Sequence, residues 1–517
     1  MTSCQVSVKW GKSKHTLELN RLEPPSLFKA QLFALTNVPP ERQKILFKGK
    51  TLSDDSWHSF PELKPGALLM MMGSADPVPQ APATKTVFME DLSEAERASA
   101  MQLPAGLKNL GNTCYMNATL QCLKSVPELR DGLKRFGGDL SAAMSGMAGA
   151  PNAAEAITVA VRDLFAAMEA SGNRQQQEVI PLVMLQVLHM CFPHFSEKDE
   201  HGHFQQQDAN ECWTELVRMF QQRLPALPDA QGVAVAASNS RNLISEQFGG
   251  KFQVSLKCKE NAEETASRQS EDFLSLSCFI QSAEVKYLHS GLKARLNEEI
   301  SKHSPSLDRD ALYEKETLIS RLPAYLTVQM VRFEYKERSQ VNAKVLKDVK
   351  FPLSLDVYDL CTAELQQKLV PMRDRMKAES DRQMERLKQL KQAGNESAAS
   401  QQSATSLTVP HWFEDDLGSN NSGFYELQAV LTHKGRSSNS GHYVAWVRQS
   451  GDNWVMCDDD VVQRVSGEDV LRLSGGGDWH CAYVLLYGPK KLQLEQEDDK
   501  KAEESETQNG SAALLHQ

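Results

Sequence analysis

The sequence lacks the features that mark several specialised classes of protein. It contains no apolar run of about 18 residues, so a transmembrane helix is not expected. Its first 25 residues show no basic segment followed by an apolar one, so no secretory signal is expected either. The ten cysteines include no C-x-x-C pair, which argues against a disulfide scaffold and indicates free thiols. These absences predict a reducing, intracellular setting: the cytoplasm and, in addition, the nucleus.

No low-complexity bias dominates the composition. Hydrophobic residues make up 41% and charged residues 24% of the 517-residue chain, which is typical of a globular protein. The net charge of -10 is uneven: residues 1–75 carry ten Lys and Arg against six Asp and Glu, or +4, which leaves -14 for the rest. An acidic body argues against nucleic acid as the main partner and suits a substrate with basic features.

The first 74 residues show a regular succession of patterns. Alternation and helical periodicity predict strands at 5–10 and 15–20, a helix at 26–35, and strands at 44–47 and 68–72. This order on so short a chain predicts a small independent domain at residues 1–74.

Composition divides the remaining chain into further segments. Residues 75–100 are rich in Pro and predict a flexible linker, whereas residues 101–490 form a large second domain. Within that domain, residues 372–406 predict an inserted charged helix followed by a disordered Ser-, Ala- and Gln-rich loop. The acidic residues 491–517 predict a disordered tail.

One cysteine lies in a setting that favours nucleophilic chemistry. Gly111 and Asn112 predict a turn, and Thr113 can cap a helix whose first turn contains Cys114. The positive end of the helix dipole stabilises a thiolate there, and the thiolate is the nucleophile. Most single cysteines are instead small buried hydrophobic residues, so for this position alone both interpretations stay open.

The C-terminal region supplies a base and an orienting carboxylate. Residues 424–432 predict a strand, residues 434–440 a polar loop, and His442 begins the next strand. A hairpin turn at residues 451–453 places position 442 opposite about position 460, so the aspartates at 458–460 come within reach of His442. Taken singly, these residues could be a surface histidine and a solvated turn. Together with a cysteine, they are typical of nucleophilic catalysis.

Attack on a carbonyl also needs donors for the developing oxyanion. Asn109, in the loop before Cys114, is the side chain that we expect to donate, and the backbone N–H of Cys114 is the second donor. From the spacing alone, a turn asparagine that bonds its own backbone is an equally good interpretation.

These stretches resemble the two signature boxes of the ubiquitin-specific proteases, which are papain-like cysteine hydrolases. The first box is GLKNLGNTCYMNATLQ at 106–121, and the second runs from residue 425 to Asp458; QQDANE at 206–211 and AYVLLY at 482–487 also match. The resemblance covers residues 101–490. It implies an α+β fold with a helical thumb and a β-rich palm and fingers. It also implies a thiol-dependent deubiquitinase that hydrolyses the isopeptide bond after the C-terminal glycine of ubiquitin.

The resemblance further assigns roles to six residues. They are Cys114 as nucleophile, His442 as base, Asp458 as third member with Asp459 as its alternative, Asn109 as oxyanion side chain, and Asp208 as the acidic position that meets the ubiquitin tail. That tail carries arginines, so an acidic cleft suits it.

One departure concerns metal binding. Many members of the family carry two C-x-x-C pairs that bind a structural zinc ion, whereas the equivalent region here has Cys258 and Cys278 alone. Two thiolates do not make a tetrahedral site, so we predict no metal and no other cofactor.

The N-terminal segment resembles ubiquitin itself, through QKILFKGKTL at 43–52 and LKPG at 63–66. The resemblance implies a β-grasp fold. Because the chain continues without a Gly-Gly terminus, we expect a docking module rather than a conjugated modifier. Leu46 falls where such folds present their apolar binding patch; an ordinary strand residue is the alternative.

A ubiquitin-like domain ahead of such a protease resembles the proteasome-associated branch of the family. That resemblance implies ubiquitin, ubiquitinated proteins and the proteasome regulatory particle as partners. It also implies low activity when free, because loops near 333–344 and 434–440 obstruct the groove for the ubiquitin tail. Two other functions compete: a non-catalytic ubiquitin- and proteasome-binding adaptor, and a thiol protease for another ubiquitin-like modifier.

Overall fold

The computed structural model describes residues 3–53, 56–61, 63–74, 103–145, 152–172, 178–227, 242–282, 284–336, 341–392, 406–437 and 440–495. Contacts divide the chain into two compact units, Met1–Asp91 and Leu92–Gln517. The predicted linker at 75–100 lies outside the described residues. Among the helices that the structure describes, none is both long enough and apolar enough to cross a membrane.

The N-terminal unit is a five-stranded sheet covered by one helix. Its elements are β1 Ser3–Trp10, β2 Ser13–Asn20, α1 Pro25–Thr36, β3 Lys44–Phe47, β4 Lys50–Thr51 and β5 Leu68–Met72. The strand order is β2-β1-β5-β3-β4, with β1 and β5 parallel. Alternate strand residues point to the helix, so Val8, Ile45 and Leu69 are buried together with Leu32 of α1. The two-residue strand β4 was not expected from the sequence.

A helical layer opens the second unit. A short parallel pair, β6 Gly106–Leu107 and β7 Glu178–Val179, accompanies the helices. These helices are α2 Cys114–Lys124, α3 Pro127–Arg135, α4 Leu140–Ser145, α5 Ala153–Gly172, α6 Leu182–Cys191, α7 Ala209–Arg223 and α8 Leu243–Gln247. Helix α2 is buried along almost its whole length, between α7 and the main sheet, so its position is tightly fixed.

A four-stranded sheet follows the helical layer. It contains β8 Gly250–Cys258, β9 Ser267–Phe273, β11 Asn297–Ser304 and β12 Arg309–Arg321, in the order β11-β12-β8-β9. Cys258 is buried in a small cluster with Ala311 and Tyr313 in this sheet. Cys278, in the strand β10 Leu276–Phe279, is buried in a different and larger cluster. The prediction that these two thiols bind no zinc stays a prediction.

The main sheet has ten strands and carries His442 and Asp458. Besides β10 it contains β13 Leu326–Val331, β14 Phe333–Lys336, β15 Val341–Lys344, β16 Ser354–Asp356, β18 Phe424–Ser437, β19 Ser440–Ser450, β20 Asn453–Asp458, β21 Val461–Ser466 and β22 Cys481–Pro489. Its central order is β10-β13-β22-β18-β19-β20-β21, and β15 and β16 also pair with β18. Short helices α9 Leu288–Lys293 and α11 Gly467–Leu471 complete this region.

Two predictions about the irregular segments need correction. The charged helix is longer than expected, since α10 spans Ala363–Gln392, and the insertion ends in a strand, β17 Ser406–Thr408. The tail is not irregular from its start, because β23 Gln493–Glu495 pairs with β17 in antiparallel register. The backbone hydrogen bonds of this ladder offset the poor strand propensity of the charged tail. Residues 393–405 and 496–517, where disorder was predicted, lie outside the described residues.

Candidate active site

Cys114 is the first residue of α2 and is buried. The loop before it turns sharply, with positive φ at Gly111 (101°) and Asn112 (54°), and the Asn112 amide donates to the Phe204 carbonyl at 2.8 Å. The expected helix cap is wrong in detail. The Thr113 hydroxyl makes no cap hydrogen bond and instead accepts from the backbone N–H of Leu110 at 2.9 Å. The Thr113 side chain therefore satisfies none of the first N–H groups of the helix, whose dipole has its positive end at Cys114.

The expected polar loop at 434–440 is largely strand. β18 continues to Ser437 and β19 begins at Ser440, because Lys434 pairs with His442 and Ser437 with Ser440 around a register shift. The polar side chains of residues 434–437 hide the strand pattern from sequence inspection.

The hairpin between β19 and β20 brings His442 to a carboxylate. Ala445 pairs with Cys457 across the hairpin, so this register puts Val444 opposite Asp458, and His442 reaches Asp458 as a diagonal neighbour on the same face of the sheet. His442 Nε2 lies 2.5 Å from Asp458 Oδ1. This contact leaves His442 Nδ1 as the nitrogen available to the Cys114 thiol.

His442 and Asp458 each stabilise the charged form of the other. The hydrogen bond to Asp458, followed by a hydrogen-bonding contact with Cys114, raises the pKa of His442 to about 10. The hydrogen bond from His442 lowers the pKa of Asp458 below its usual range. The arrangement therefore favours an imidazolium held between a carboxylate and a thiol, which is the charge state that a thiolate nucleophile needs beside it.

Asp459 does not substitute for Asp458 in this structure. It occupies a left-handed turn position (φ 52°) and accepts hydrogen bonds from the side-chain amides of Asn109 (2.8 Å) and Asn117 (2.9 Å). Its own carbonyl accepts from the Leu107 N–H at 2.8 Å. Asp459 therefore ties the cysteine loop and α2 to the strand that carries Asp458. The sequence shows three consecutive aspartates, but it does not indicate which one bonds His442 and which one bonds the two asparagines.

Asn109 combines the two interpretations that the sequence left open. Its carbonyl oxygen accepts from the backbone N–H of Gly111 at 2.9 Å, as a turn asparagine does. Its amide donates one hydrogen to Asp459 and retains a second. The side chain is thus held rigidly in the loop that leads to Cys114, with one donor left for a ligand.

Asp208 lies at the N-terminus of α7 and is engaged on two sides. It caps the helix by accepting from the backbone N–H groups of Asn210 (2.6 Å) and Glu211 (3.3 Å). The Tyr483 hydroxyl donates to it at 2.7 Å. Burial nevertheless raises its pKa above the usual range, so an additional cationic partner would be favourable. Neither the cap nor the tyrosine, 275 residues away, was predicted.

Two neutral histidines flank the site and were missed by the sequence reasoning. Burial, with a contribution from Lys344, lowers the pKa of His433 to about 3, and burial lowers that of His480 to about 4. The His433 ring contacts the rings of Phe333 and Tyr443. For His433, its closeness to His442 in the sequence could have indicated that it lies near the site.

The expected obstructing loops are two linked hairpins. The first joins β14 to β15, and the second joins β18 to β19. Ala343 pairs with Ser437, and the buried Lys344 ammonium donates to the His433 carbonyl. Phe333 packs edge-on against the His433 ring at a centroid distance of 5.3 Å. The hairpins therefore form one contiguous wall beside His442.

Within the part of the chain that the structure describes, a cluster of potential metal ligands coincides with this site. Ligand atoms of His442, Asp458 and Asp459 lie within 4.8 Å of one another. All three side chains already serve in the hydrogen bonds given above, so the donor set is better explained by those bonds than by a metal.

Comparison with known proteins places this geometry in a family. Residues 105–487 match the family described as ubiquitin carboxyl-terminal hydrolase. The chain belongs to that family. It is a cysteine-type deubiquitinase of the ubiquitin-specific protease class, with an α+β catalytic domain, as the sequence resemblance implied. Residues 5–76 match the ubiquitin family, which agrees with the ubiquitin-like domain that was expected.

Relatives of this deubiquitinase match it over nearly its whole length. Ubiquitin carboxyl-terminal hydrolase 6 of Arabidopsis thaliana is 43% identical over 95% of this chain and 99% of its own. Ubiquitin carboxyl-terminal hydrolase 14 of Caenorhabditis elegans is 40% identical over 94% of each chain. Ubiquitin carboxyl-terminal hydrolase 6 of Schizosaccharomyces pombe is 37% identical over 94% of this chain and 99% of its own.

The ubiquitin-like domain of the enzyme displays an apolar strip. Leu46, the expected docking residue, is half-buried on β3 and pairs with Met70 on β5. Leu68, Met70 and Met72 are exposed, because they occupy the alternate positions of β5 that face away from α1. The strip is larger than the single residue that the sequence singled out.

Proposed function

We propose that this deubiquitinase hydrolyses the isopeptide bond after the C-terminal glycine of ubiquitin on conjugates, with Cys114, His442 and Asp458 as its catalytic residues. The assignment rests on the arrangement of three side chains. Cys114 is buried at the start of α2, His442 lies between it and Asp458, and His442 Nε2 is 2.5 Å from Asp458 Oδ1. A nucleophile, a base and an orienting carboxylate in this sequence support the assignment.

The proposed reaction has two steps, acylation of Cys114 and hydrolysis of the resulting thioester. The Cys114 thiolate attacks the glycine carbonyl carbon, and the His442 imidazolium gives its proton to the lysine amine as the C–N bond breaks. A thioester between ubiquitin and Cys114 remains. The neutral His442 then takes one proton from a water molecule that attacks the thioester, which releases the thiolate and the ubiquitin carboxylic acid, and the acid gives its proton to solvent. Asp458 holds the imidazole orientation throughout.

The oxyanion of both steps needs donors that are fixed before reaction. The second amide hydrogen of Asn109 and the backbone N–H of Cys114 are the groups that we assign to it. Since Asp459 and Gly111 hold Asn109 in place, the donor costs little reorganisation when the charge develops.

The arginine-bearing tail of ubiquitin is expected to enter past Asp208. The carboxylate retains lone pairs after accepting from the helix and from Tyr483, and its buried charge lacks a cationic partner among the described residues. An arginine guanidinium would supply the missing charge, with charge-assisted hydrogen bonds.

The same proposal includes docking at the proteasome regulatory particle through Leu46 and the exposed strip beside it, in the cytoplasm and the nucleus. It also includes activation there. In the free enzyme, the wall formed by the two hairpins would narrow the entry to His442. Displacement of that wall on docking would open it.

Hydrolysis of a ubiquitin conjugate by the full-length protein tests the proposal. Wild type should release free ubiquitin, faster when purified proteasome is present, and Cys114→Ala should release none in either condition. Retained binding without any release by wild type would favour the adaptor function. Release of a different ubiquitin-like modifier in preference to ubiquitin would favour the rival protease.

A further inference from the structure

An exposed apolar surface lies on the helical layer of the catalytic unit. It consists of the side chains of Ile180, Leu182, Val183 and Met190, which are 58%, 49%, 54% and 59% exposed. Leu182, Val183 and Met190 lie on one side of α6, and Ile180 lies just before the helix. We call this surface the α6 face. Four large apolar side chains left in water within eleven residues are typical of an interaction surface.

The α6 face is joined directly to the cysteine loop. Strand β7, which ends at Val179, pairs in parallel with β6, so that Leu107 lies opposite Val179. The backbone N–H of Lys108 donates to the Val179 carbonyl at 2.9 Å, and Asn109 is the next residue. Ile180 therefore follows a strand pair that leads into the oxyanion loop.

Along the main sheet, the pair β6–β7 and Asp208 lie on opposite sides of the strand that carries His442. Along the main sheet the order is β22, β18, β19, β20, β21, and the Tyr483 partner of Asp208 is on β22. Strand β6 instead meets the turn after β20: the Leu107 N–H bonds the Asp459 carbonyl, and a Cβ on Gly106 would come within 2.4 Å of the Asp460 carbonyl oxygen. A ubiquitin tail that enters past Asp208 and is cut at Cys114 thus has its leaving amine on the β6 side.

On the basis of the proposed function, we infer that the α6 face binds the leaving partner of a ubiquitin–ubiquitin conjugate, that is, the second ubiquitin whose lysine is released. The face is joined through β7 to the loop that carries Asn109, and the leaving partner must lie on that side of Cys114. Leaving proteins differ from one conjugate to another, but within a ubiquitin chain the partner is always a ubiquitin. A fixed apolar surface suits such an invariant partner.

The chemistry of the partner also fits. Ubiquitin folds can present an apolar strand face, as the N-terminal unit of this chain does with Leu68, Met70 and Met72. Such a face would bury against the α6 face without unpaired charge.

Two substitutions with a matched control test the inference in the full-length enzyme. Met190→Glu and Val183→Glu place a charge in the α6 face, whereas Met384→Glu places one at a 54%-exposed methionine of α10. Each variant is assayed on isopeptide-linked diubiquitin, on ubiquitin joined to an unrelated protein, and on ubiquitin carrying a small fluorogenic amine.

We expect kcat/KM for diubiquitin to fall about tenfold in both α6 variants, through a higher KM. Activity on the small amine should stay at the wild-type level, which also shows that the variants are folded. Met384→Glu should match wild type on all three substrates.

Three results would overturn the inference. An equal loss on the small amine would assign the surface to the first ubiquitin or to folding. An equal loss on the unrelated conjugate would remove the specificity for ubiquitin as leaving partner, and no loss at all would remove the binding role. A wild-type enzyme inactive on every substrate would instead overturn the proposed function, and the inference with it.

Discussion

The Asp458 carboxylate governs the charge of His442. Because its hydrogen bond is the largest cause of the raised pKa of about 10, Asp458→Asn should return the pKa of His442 towards its ordinary value near 6.5. The imidazolium then loses its proton at lower pH. We expect the alkaline limb of the kcat/KM profile to move down by about three pH units, with roughly a thirtyfold loss at pH 8 from the lost protonation. A pH–rate profile of the variant, measured with a fluorogenic ubiquitin amide, checks this. An unmoved alkaline limb would contradict the assignment.

Asp459 should behave differently, since it bonds Asn109 and Asn117 and not His442. Asp459→Ala removes the acceptor of the Asn109 amide, so kcat should fall by roughly tenfold to a hundredfold through a misplaced oxyanion donor. The alkaline limb should stay near its wild-type position, as no hydrogen bond to His442 is lost. A limb shifted as far as in Asp458→Asn would show that Asp459 acts on the imidazole instead.

Asp208 has a structural and a proposed binding role, and one substitution separates them. Asn caps a helix about as well as Asp, so Asp208→Asn should leave the thermal midpoint within a few degrees of wild type. Loss of the negative charge should raise KM for ubiquitin substrates by about tenfold. Melting curves and steady-state kinetics on the same preparation check both. A lower midpoint with unchanged KM would leave Asp208 only its helix-capping role.

Local sequence patterns were enough to assign some of these residues but not others. His442 and Asp458 lie on neighbouring strands of one hairpin, so the turn position predicted that one of the aspartates at 458–460 lies near His442, and the family resemblance selected Asp458. The bond from Tyr483 to Asp208 and those from Asn109 and Asn117 to Asp459 join residues hundreds of positions apart. Contacts of that kind depend on tertiary packing, and a single sequence does not reveal them.

The two hairpins beside His442 are joined by the buried hydrogen bond from Lys344 to the His433 carbonyl, and we expect them to move together. Lys344→Met keeps the length and packing of the side chain but removes its bond to the His433 carbonyl. We expect the free enzyme to react several-fold faster with a ubiquitin electrophile, because the wall opens more often. Proteasome should then accelerate the variant less than wild type.

Lys347→Met supplies the control for that experiment. Its ammonium also donates to a backbone carbonyl, that of Ser282, but it lies outside both hairpins. Its labelling rate should equal that of wild type. Slower labelling of Lys344→Met, with or without proteasome, would contradict a gating wall and would assign the link to the geometry of His442.

Strand limits were the least predictable feature at the level of elements. Residues 434–437 carry Lys434 and Arg436 in alternation with smaller residues, and only their pairing with β19 and β15 shows that they are strand. The pair β17–β23 is three residues long on each side and joins segments that the sequence marks as irregular. Short ladders of this kind form because a distant partner is available, not because of local propensity.

The proposed docking strip and the candidate active site belong to different compact units. Met70→Glu charges the exposed strip of the N-terminal unit, so proteasome stimulation should fall about tenfold or more, while activity without proteasome stays at the wild-type level. Leu35→Glu, on the exposed side of α1, is the control and should keep full stimulation. Loss of stimulation in both variants, or in neither, would contradict docking through the strip.

The central claim is that Cys114 attacks ubiquitin's terminal carbonyl from a site that docking opens. Ubiquitin with a C-terminal electrophile tests it directly, with the modified peptide identified by mass spectrometry and the rate measured with and without purified proteasome. We expect an adduct on Cys114 of the wild type, formed faster with proteasome, and none on Cys114→Ala. An adduct on another cysteine, or none on the wild type in either condition, would contradict it.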